Sequence, residues 1–299
     1  MRVKRWMWIT VGIVALLLLA EQLLLERPAA PEGKYVIDLA ALHAAAVGAG
    51  PLPEKIEVEK VGDFAFPGKL VVAGGSFHLH PMVLLAHRVL WPDHSLLIDT
   101  AMSPKAAQAI PGSKADPAAF DRVEQAMKKA DLIVFTHEHS DHVGGVASAP
   151  DFASIAKKVR ITREQLNGPK LERSDFAAGN LEQLQPLDYS GLFRLAPGVV
   201  LQKAPGHSVG SQLVYVELAN GTRFLFVGDI AWTYENITRQ IGRPGIATLL
   251  MKEDRPAVAA QLQALAALPP DVHLIVAHDG DALQKDLNAG LYKKGFTLQ

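Results

Sequence analysis

The stretch FTHEHSDHVGG, residues 135–145, places three histidines, a glutamate and an aspartate between His137 and His142. Neutral imidazole and carboxylate are the ligands that borderline divalent cations such as zinc prefer. His137 and His139 are two residues apart and share a side of an extended chain, while Asp141 and His142 follow where the chain must turn toward a helix. The same alternation leaves Glu138 and Ser140 on the other side. Four nitrogen and oxygen donors therefore converge from one short loop. The apolar, β-prone run Leu132 to Thr136 leads straight into it, so the cluster sits at the end of a buried strand. Burying it without a cation would leave several donors and a carboxylate poorly compensated.

Three more strand ends each deliver one donor. KAPGHSVGS (203–211) presents His207 between Pro205-Gly206 and Gly210, FLFVGDIAW (224–232) breaks at Gly228-Asp229, and LIVAHDGD (274–281) breaks at His278. Taken singly, an aspartate after glycine is an ordinary helix N-cap and a histidine after a strand an ordinary turn residue. Together with the first cluster they make seven donors that support one another. His78 and His80 in SFHLHP have ligand spacing, but no carboxylate follows them, and His273 lies inside the last strand and reads as structural.

HEHSDH matches the His-x-His-x-Asp-His signature of the metallo-β-lactamase superfamily, and His207, Asp229 and His278 follow in the order that superfamily uses. The resemblance covers roughly residues 60–285. It implies an α/β (α+β) fold, an αββα sandwich with the metals at one edge between two sheets. Carried over by position, His137, His139 and His207 would hold one metal, Asp141, His142 and His278 a second, and Asp229 would bridge them. Asp99, closing LLIDT, resembles the family's aspartate near the site, which would fix a histidine's tautomer. The implied cofactors are two divalent ions, zinc foremost, though manganese, iron or cobalt suit the same ligands. Ions roughly 3.5–4 Å apart would share a hydroxide that attacks a carbonyl. Asp141 or a metal-bound water would return the proton to the leaving alkoxide. Asp229 and Asp141 are thus the expected catalytic carboxylates.

The chain has no cysteine. Disulfides, a cysteine nucleophile and the β-lactamases with a cysteine at the late metal position are excluded together. A bridging Asp229 fits the relatives that cleave lactones, esters, thioesters and phosphodiesters, and an iron redox site would want a glutamate where His139 stands. Among these, APGHSVGSQLVYVEL and FVGDIAWTYENI look most like the N-acyl homoserine lactone lactonases. One departure stands out: those lactonases carry a tyrosine three residues after the bridging aspartate, where this chain has Trp232, with Tyr234 two residues on. Trp232 would then wall an apolar acyl pocket, and Tyr234 would take the tyrosine's part only if the segment is irregular. The expected substrate is a small apolar lactone or ester. The alternative within the superfamily is an exported organophosphate or aryl-ester hydrolase, and a non-catalytic ligand-binding module comes last. A glyoxalase-type thioesterase is disfavoured because export removes it from glutathione, and a ribonuclease would need a basic exosite.

The 30 basic and 31 acidic residues are spread evenly for a net charge of −1. No basic stripe with interleaved aromatics is present, so no nucleic-acid partner is expected. Arg2, Lys4 and Arg5 precede the uncharged run Trp6 to Ala20, which Glu21 and Gln22 interrupt. Residues 1–25 therefore read as a signal peptide or signal-anchor helix, with the rest exported, either periplasmic or anchored to the cytoplasmic membrane and facing outward. Residues 26–53 read as a linker with a short helix in YVIDLAALHAAA, and 54–299 as the hydrolase domain. Its expected strands are KIEVEKV, KLVVAGG, MVLLAHRVLW, SLLIDTA and DLIVFTH, then segments near 158–162, 199–204, 212–218, 223–228 and 272–278. Helices are expected over 116–130 and near 231–241 and 255–268. Strands with interspersed helices in both halves, and no flexible linker between, predict one domain with two sheets.

Overall fold

The apolar runs become strands buried on both faces. A computed structural model describes residues 2–48, 50–169, 171 and 174–297. Its strands are β1 (Lys55–Pro67), β2 (Leu79–Leu90), β3 (Ser95–Ile98), β4 (Lys114–Ala115), β5 (Leu132–Val134), β6 (Val159–Thr162) and β7 (Pro186–Leu187). They continue as β8 (Leu192–Ala196), β9 (Val199–Lys203), β10 (Gln212–Glu217), β11 (Arg223–Gly228), β12 (Val272–Val276) and β13 (Lys293–Lys294). One sheet runs β13-β1-β2-β3-β5-β6-β7, with β4 beside β1, and the other runs β12-β11-β10-β9-β8.

Period-two alternation distributes each strand's side chains between two cores. In β2, Met82, Leu84 and Ala86 face an outer core, whereas Val83, Leu85 and Val89 face the space between the sheets. There they meet Val214 and Val216 of β10 and Phe224 and Phe226 of β11. The other faces of those strands, Leu213, Tyr215, Leu225 and Val227, turn to a third core. The outer core of the first sheet is closed by helices Pro117–Lys129, Ser140–Ala147 and Phe152–Ala156. The third core is closed by Leu39–Ala46, Tyr234–Arg239 and Arg255–Ala266. Three cores between four layers make the αββα sandwich. Each fully buried leucine, valine or phenylalanine contributes about 1.5–3 kcal/mol.

Two expectations change. KLVVAGG is not a strand: Gly68–Val71 is a single helical turn, followed by a loop in which the Gly75 amide donates to Val72 O. The reason lies next door. β1 runs on to Pro67 and pairs with β2 down to Leu79, so the intervening residues must reverse direction, and Val71 and Val72 are buried under the turn. The second change is a set of additions, among them strand β8 and helices Phe152–Ala156, Gly245–Met251 and Gly280–Asn288, which the sequence did not predict.

The helix near the N-terminus spans Arg2–Glu21 and widens into a π-turn over Gln22–Glu26. Trp6–Glu26 is long and apolar enough to cross a membrane, and none of it is buried in the protein. Its far end is tied to the domain. Lys69 pairs with Glu21 at 3.2 Å and also with Glu26, the Gly74 amide donates to Leu25 O at 3.0 Å, and Arg255 donates to Arg27 O at 2.7 Å.

Candidate metal centre

The donors arrive at one edge of the sandwich because four strands end there. Beyond β5 the chain is pinned from the second sheet: Gln212 Nε2 donates to Phe135 O at 2.7 Å and the Gln212 amide to Thr136 O at 2.9 Å. His139 then starts helix Ser140–Ala147. The two glycines closing the motif let that helix lie against the turn after β3; a Cβ on Gly145 would stand 2.5 Å from Thr100 O, and one on Gly144 2.8 Å from Met102 Cα. At the end of β11, Gly228 takes a φ of +51° and sits where a Cβ would meet the Thr136 side chain at 2.8 Å, which aims Asp229 back at the histidines. His278, past β12, is held between the layers, its amide donating to Trp232 O and its carbonyl accepting from the Val83 amide.

All seven expected donors meet, in two groups that share Asp229. His137, His139, His207 and Asp229 form one and Asp141, His142, Asp229 and His278 the other, with one atom from each residue of a group within 4.8 Å of the rest. The Asp229 carboxylate is divided between them. Oδ2 lies 3.3 Å from His207 Nε2 and 3.7 Å from His137 Nε2; Oδ1 lies 3.2 Å from both His142 Nε2 and His278 Nε2. Asp141 Oδ2 is 3.4 Å from His278 Nε2 and 3.7 Å from His142 Nε2. Glu138 points away, accepting from Ser208 Oγ at 2.7 Å, and burial raises its pKa.

His137 Nε2, His142 Nε2 and Asp229 Oδ1 are buried with no hydrogen-bond partner. Orphaned imidazole nitrogens and a carboxylate oxygen aimed at common points are what divalent cations would satisfy. The opposite edges of the rings are held. Asp99 Oδ2 lies 2.9 Å from His142 Nδ1, and the same carboxylate accepts from the Thr136 amide and hydroxyl. Glu253 Oε2 lies 2.8 Å from His207 Nδ1 and is paired with Arg243, which also donates to Asp229 O at 2.7 Å. Val83 O lies 2.9 Å from His278 Nδ1. Such partners fix each tautomer so that Nε2 faces the centre. Burial opposes a charge on His142, yet Asp99, Asp141 and Asp229 carry its pKa well above the ordinary imidazole value. His137 moves the other way, held well below it by burial and by His142. Burial favours a neutral Asp229, but the histidines around it hold the carboxyl well below its usual range.

A family model described as the metallo-beta-lactamase superfamily matches residues 89–278, more than half of the chain. The chain belongs to that superfamily. Its relatives include a hydroxyacylglutathione hydrolase from Acidiphilium cryptum, 31% identical over 163 residues, covering 54% of this chain and 56% of the relative. An N-acyl homoserine lactonase from Bacillus thuringiensis is 27% identical over 131 residues, covering 40% of this chain and 49% of the relative. The chain thus spans about half the length of the curated relatives it matches. A solved N-acyl homoserine lactone hydrolase with N-hexanoyl-L-homoserine bound shares the fold, with a TM-score of 0.62 at 18% identity, covering 78% of this chain and 96% of that one.

Beside the superfamily's donor set lies a cavity of about 360 Å³ whose floor includes His139, Asp141, Asp229 and His278. Phe64, Phe66, Met82, Met102, Ile110, Trp232 and Met251 make up most of the rest of its lining. Trp232 stacks on Phe66 with ring centroids 6.0 Å apart, and its indole Nε1 donates to Asp229 Oδ2 at 2.7 Å. The expected apolar wall is therefore also a hydrogen-bond donor to the shared carboxylate. Tyr234 does not line this cavity. Asn236 Oδ1 accepts from Thr233 N and Oγ1 and starts a helix there, and Tyr234 lines a separate cavity with His273, Lys285 and Asp286. His78 and His80 do not line the cavity either. Sequence reasoning missed Arg243 and Glu253. They lie in IGRPGIATLLMKED, which carries no motif, and Glu253 is turned inward because Lys252, at φ +59°, ends the preceding helix in the left-handed region.

Proposed function

We propose that this chain is a dinuclear metallohydrolase that opens lactones, or closely related esters, bearing an apolar acyl group. The observation that carries the reading is the Asp229 carboxylate, one oxygen toward each histidine group, at the floor of an apolar cavity. His137, His139 and His207 would hold one ion, Asp141, His142 and His278 the other, with Asp229 between; zinc suits the set best, and manganese, iron or cobalt are accepted by it. When bound, such ions polarise a carbonyl and acidify water to a pKa of about 7.

The chain's own residues supply the rest. Phe64, Phe66, Met102 and Met251 bind the acyl group and exclude water from it. Asp141, whose side chain is 23% exposed and lines the cavity, is the carboxylate placed to take a proton and return it to the leaving oxygen. Trp232 and Arg243 hold Asp229 from its Oδ2 and its carbonyl. The runner-up, an exported aryl-ester or organophosphate hydrolase, is favoured by Trp232, since an indole replaces the lactonase tyrosine and presents a flat aromatic wall. We place the domain outside the cytoplasmic membrane, anchored by Trp6–Glu26, whose exposed apolar surface follows Arg2, Lys4 and Arg5.

The test is acid release by the metal-replete full chain in detergent from N-acyl homoserine lactones of short and long chain. Aryl esters, a phosphotriester and an acyl-glutathione thioester run alongside. Lactone opening that falls to background in Asp229→Ala, with loss of bound metal, is the expected result. Cleavage of the ester or phosphotriester alone would move the function to the runner-up. Bound metal with no turnover of any substrate would leave a binding module.

A further inference from the structure

Two segments rim the catalytic cavity and also grip the end of the apolar helix. Phe66 closes β1 against Trp232, and three residues on, Lys69 pairs with Glu21 and Glu26. Met251 lines the cavity from the last turn of helix Gly245–Met251. At the other end of that helix, a Cβ on Gly245 would stand 3.4 Å from Leu23 O and 3.6 Å from Leu24 O. The outward faces of both segments are apolar. Leu249 and Leu250 are 75% and 76% exposed, and Phe77 and Leu79 are 70% and 68% exposed. The Phe77 ring lies under the same ammonium, Lys69 Nζ, at 4.4 Å. These side chains therefore flank the point where the apolar helix leaves the domain.

We infer that Phe77, Leu79, Leu249 and Leu250 insert into the bilayer that Trp6–Glu26 crosses, so that the cavity mouth faces the membrane and receives amphiphilic acyl substrates from it. The inference rests on the anchoring proposed above. The lipid surface is chosen over another protein because the patch is continuous with a membrane-length helix through direct backbone contacts, and a helix of that length fixes the patch within reach of the interface. Lys252, exposed at the end of the same short helix, is placed as a cation reaching toward lipid phosphates. Substrates with long acyl chains partition into such a bilayer more strongly with each added methylene, and the wall of Phe66, Met102 and Met251 takes up the same chain once it leaves the lipid.

Because the chain has no cysteine, a fluorophore can be placed at Leu249→Cys or Leu79→Cys without other labelling. The full chain is reconstituted in phosphatidylethanolamine–phosphatidylglycerol vesicles containing spin-labelled lipid. Ala219→Cys, on the β10–β11 hairpin at the end of that sheet away from Asp229, is the control. Expected is at least about twofold quenching at 249 and 79 and none at 219, as for side chains buried roughly 5–10 Å into the headgroup boundary. Replacing both Leu249→Glu and Leu250→Glu should raise KM for a long-chain substrate in vesicles about tenfold, the scale of losing apolar burial. Turnover of a short, water-soluble substrate should not change. A chain that does not float with the vesicles overturns anchor and surface together. A floating chain with no quenching at 249 and 79 overturns the surface alone, and cross-linking between Leu249→Cys copies in that state assigns the patch to a second copy. Quenching with no lactone turnover sustains the surface and overturns only the lactone reading.

Discussion

Trp232 stands three residues after Asp229, and its indole donates to the same carboxylate oxygen that faces His207 and His137. Its ring also stacks over the Arg243 guanidinium at 4.8 Å, so one side chain links the shared aspartate to the Arg243–Glu253 pair behind His207. Trp232→Phe keeps the wall and removes the donor. Loss of a partner of this kind costs about 10–100-fold in metal affinity or activity; metal content per chain and kcat, measured together, check it. Unchanged values of both would mean that the bond does not position Asp229.

β2 carries an element-scale consequence. Its alternation points Val83, Leu85 and Val89 between the sheets, and His87 shares that side, edge-on to Phe226 at 4.9 Å and to Tyr292 at 6.3 Å. His87 Nε2 has no hydrogen-bond partner, and burial lowers its pKa from 6.5 to about 4. The unfolded chain therefore takes up this proton first as the pH falls. Stability from this residue is full above pH 6.5, declines between 6.5 and about 4, and is constant below. The decline amounts to about 3 kcal/mol. Denaturant unfolding of the full chain across that window should be flatter in His87→Leu than in the parent, and parallel curves would contradict it.

At the scale of the molecule, the donors come from the ends of β5, β11 and β12 and from the turn between β9 and β10, so bound ions would tie both sheets together at one edge. An ion present at a hundred times its Kd adds about 2.7 kcal/mol. Chelation should then lower the unfolding midpoint by about 5–10 °C per ion, read by calorimetry with and without added zinc. A midpoint indifferent to chelator would remove the ions from the account. The sequence by itself determined the donors and the layers. HEHSDH announces its chemistry by residue type and spacing, His207, Asp229 and His278 each follow an apolar run, and those continuous apolar runs report strands buried on both faces. What only the tertiary structure decided depends on residues far apart in sequence. Glu253 reaches His207 because a left-handed Lys252 turns it, Trp232 finds Asp229 because the chain turns and bends over residues 229–233 before helix Tyr234–Arg239 begins, and KLVVAGG bends because β1 and β2 pair on either side of it. A motif records which groups a local backbone can aim together. The partners that hold those groups from behind are chosen by packing between layers, which leaves no spacing to read.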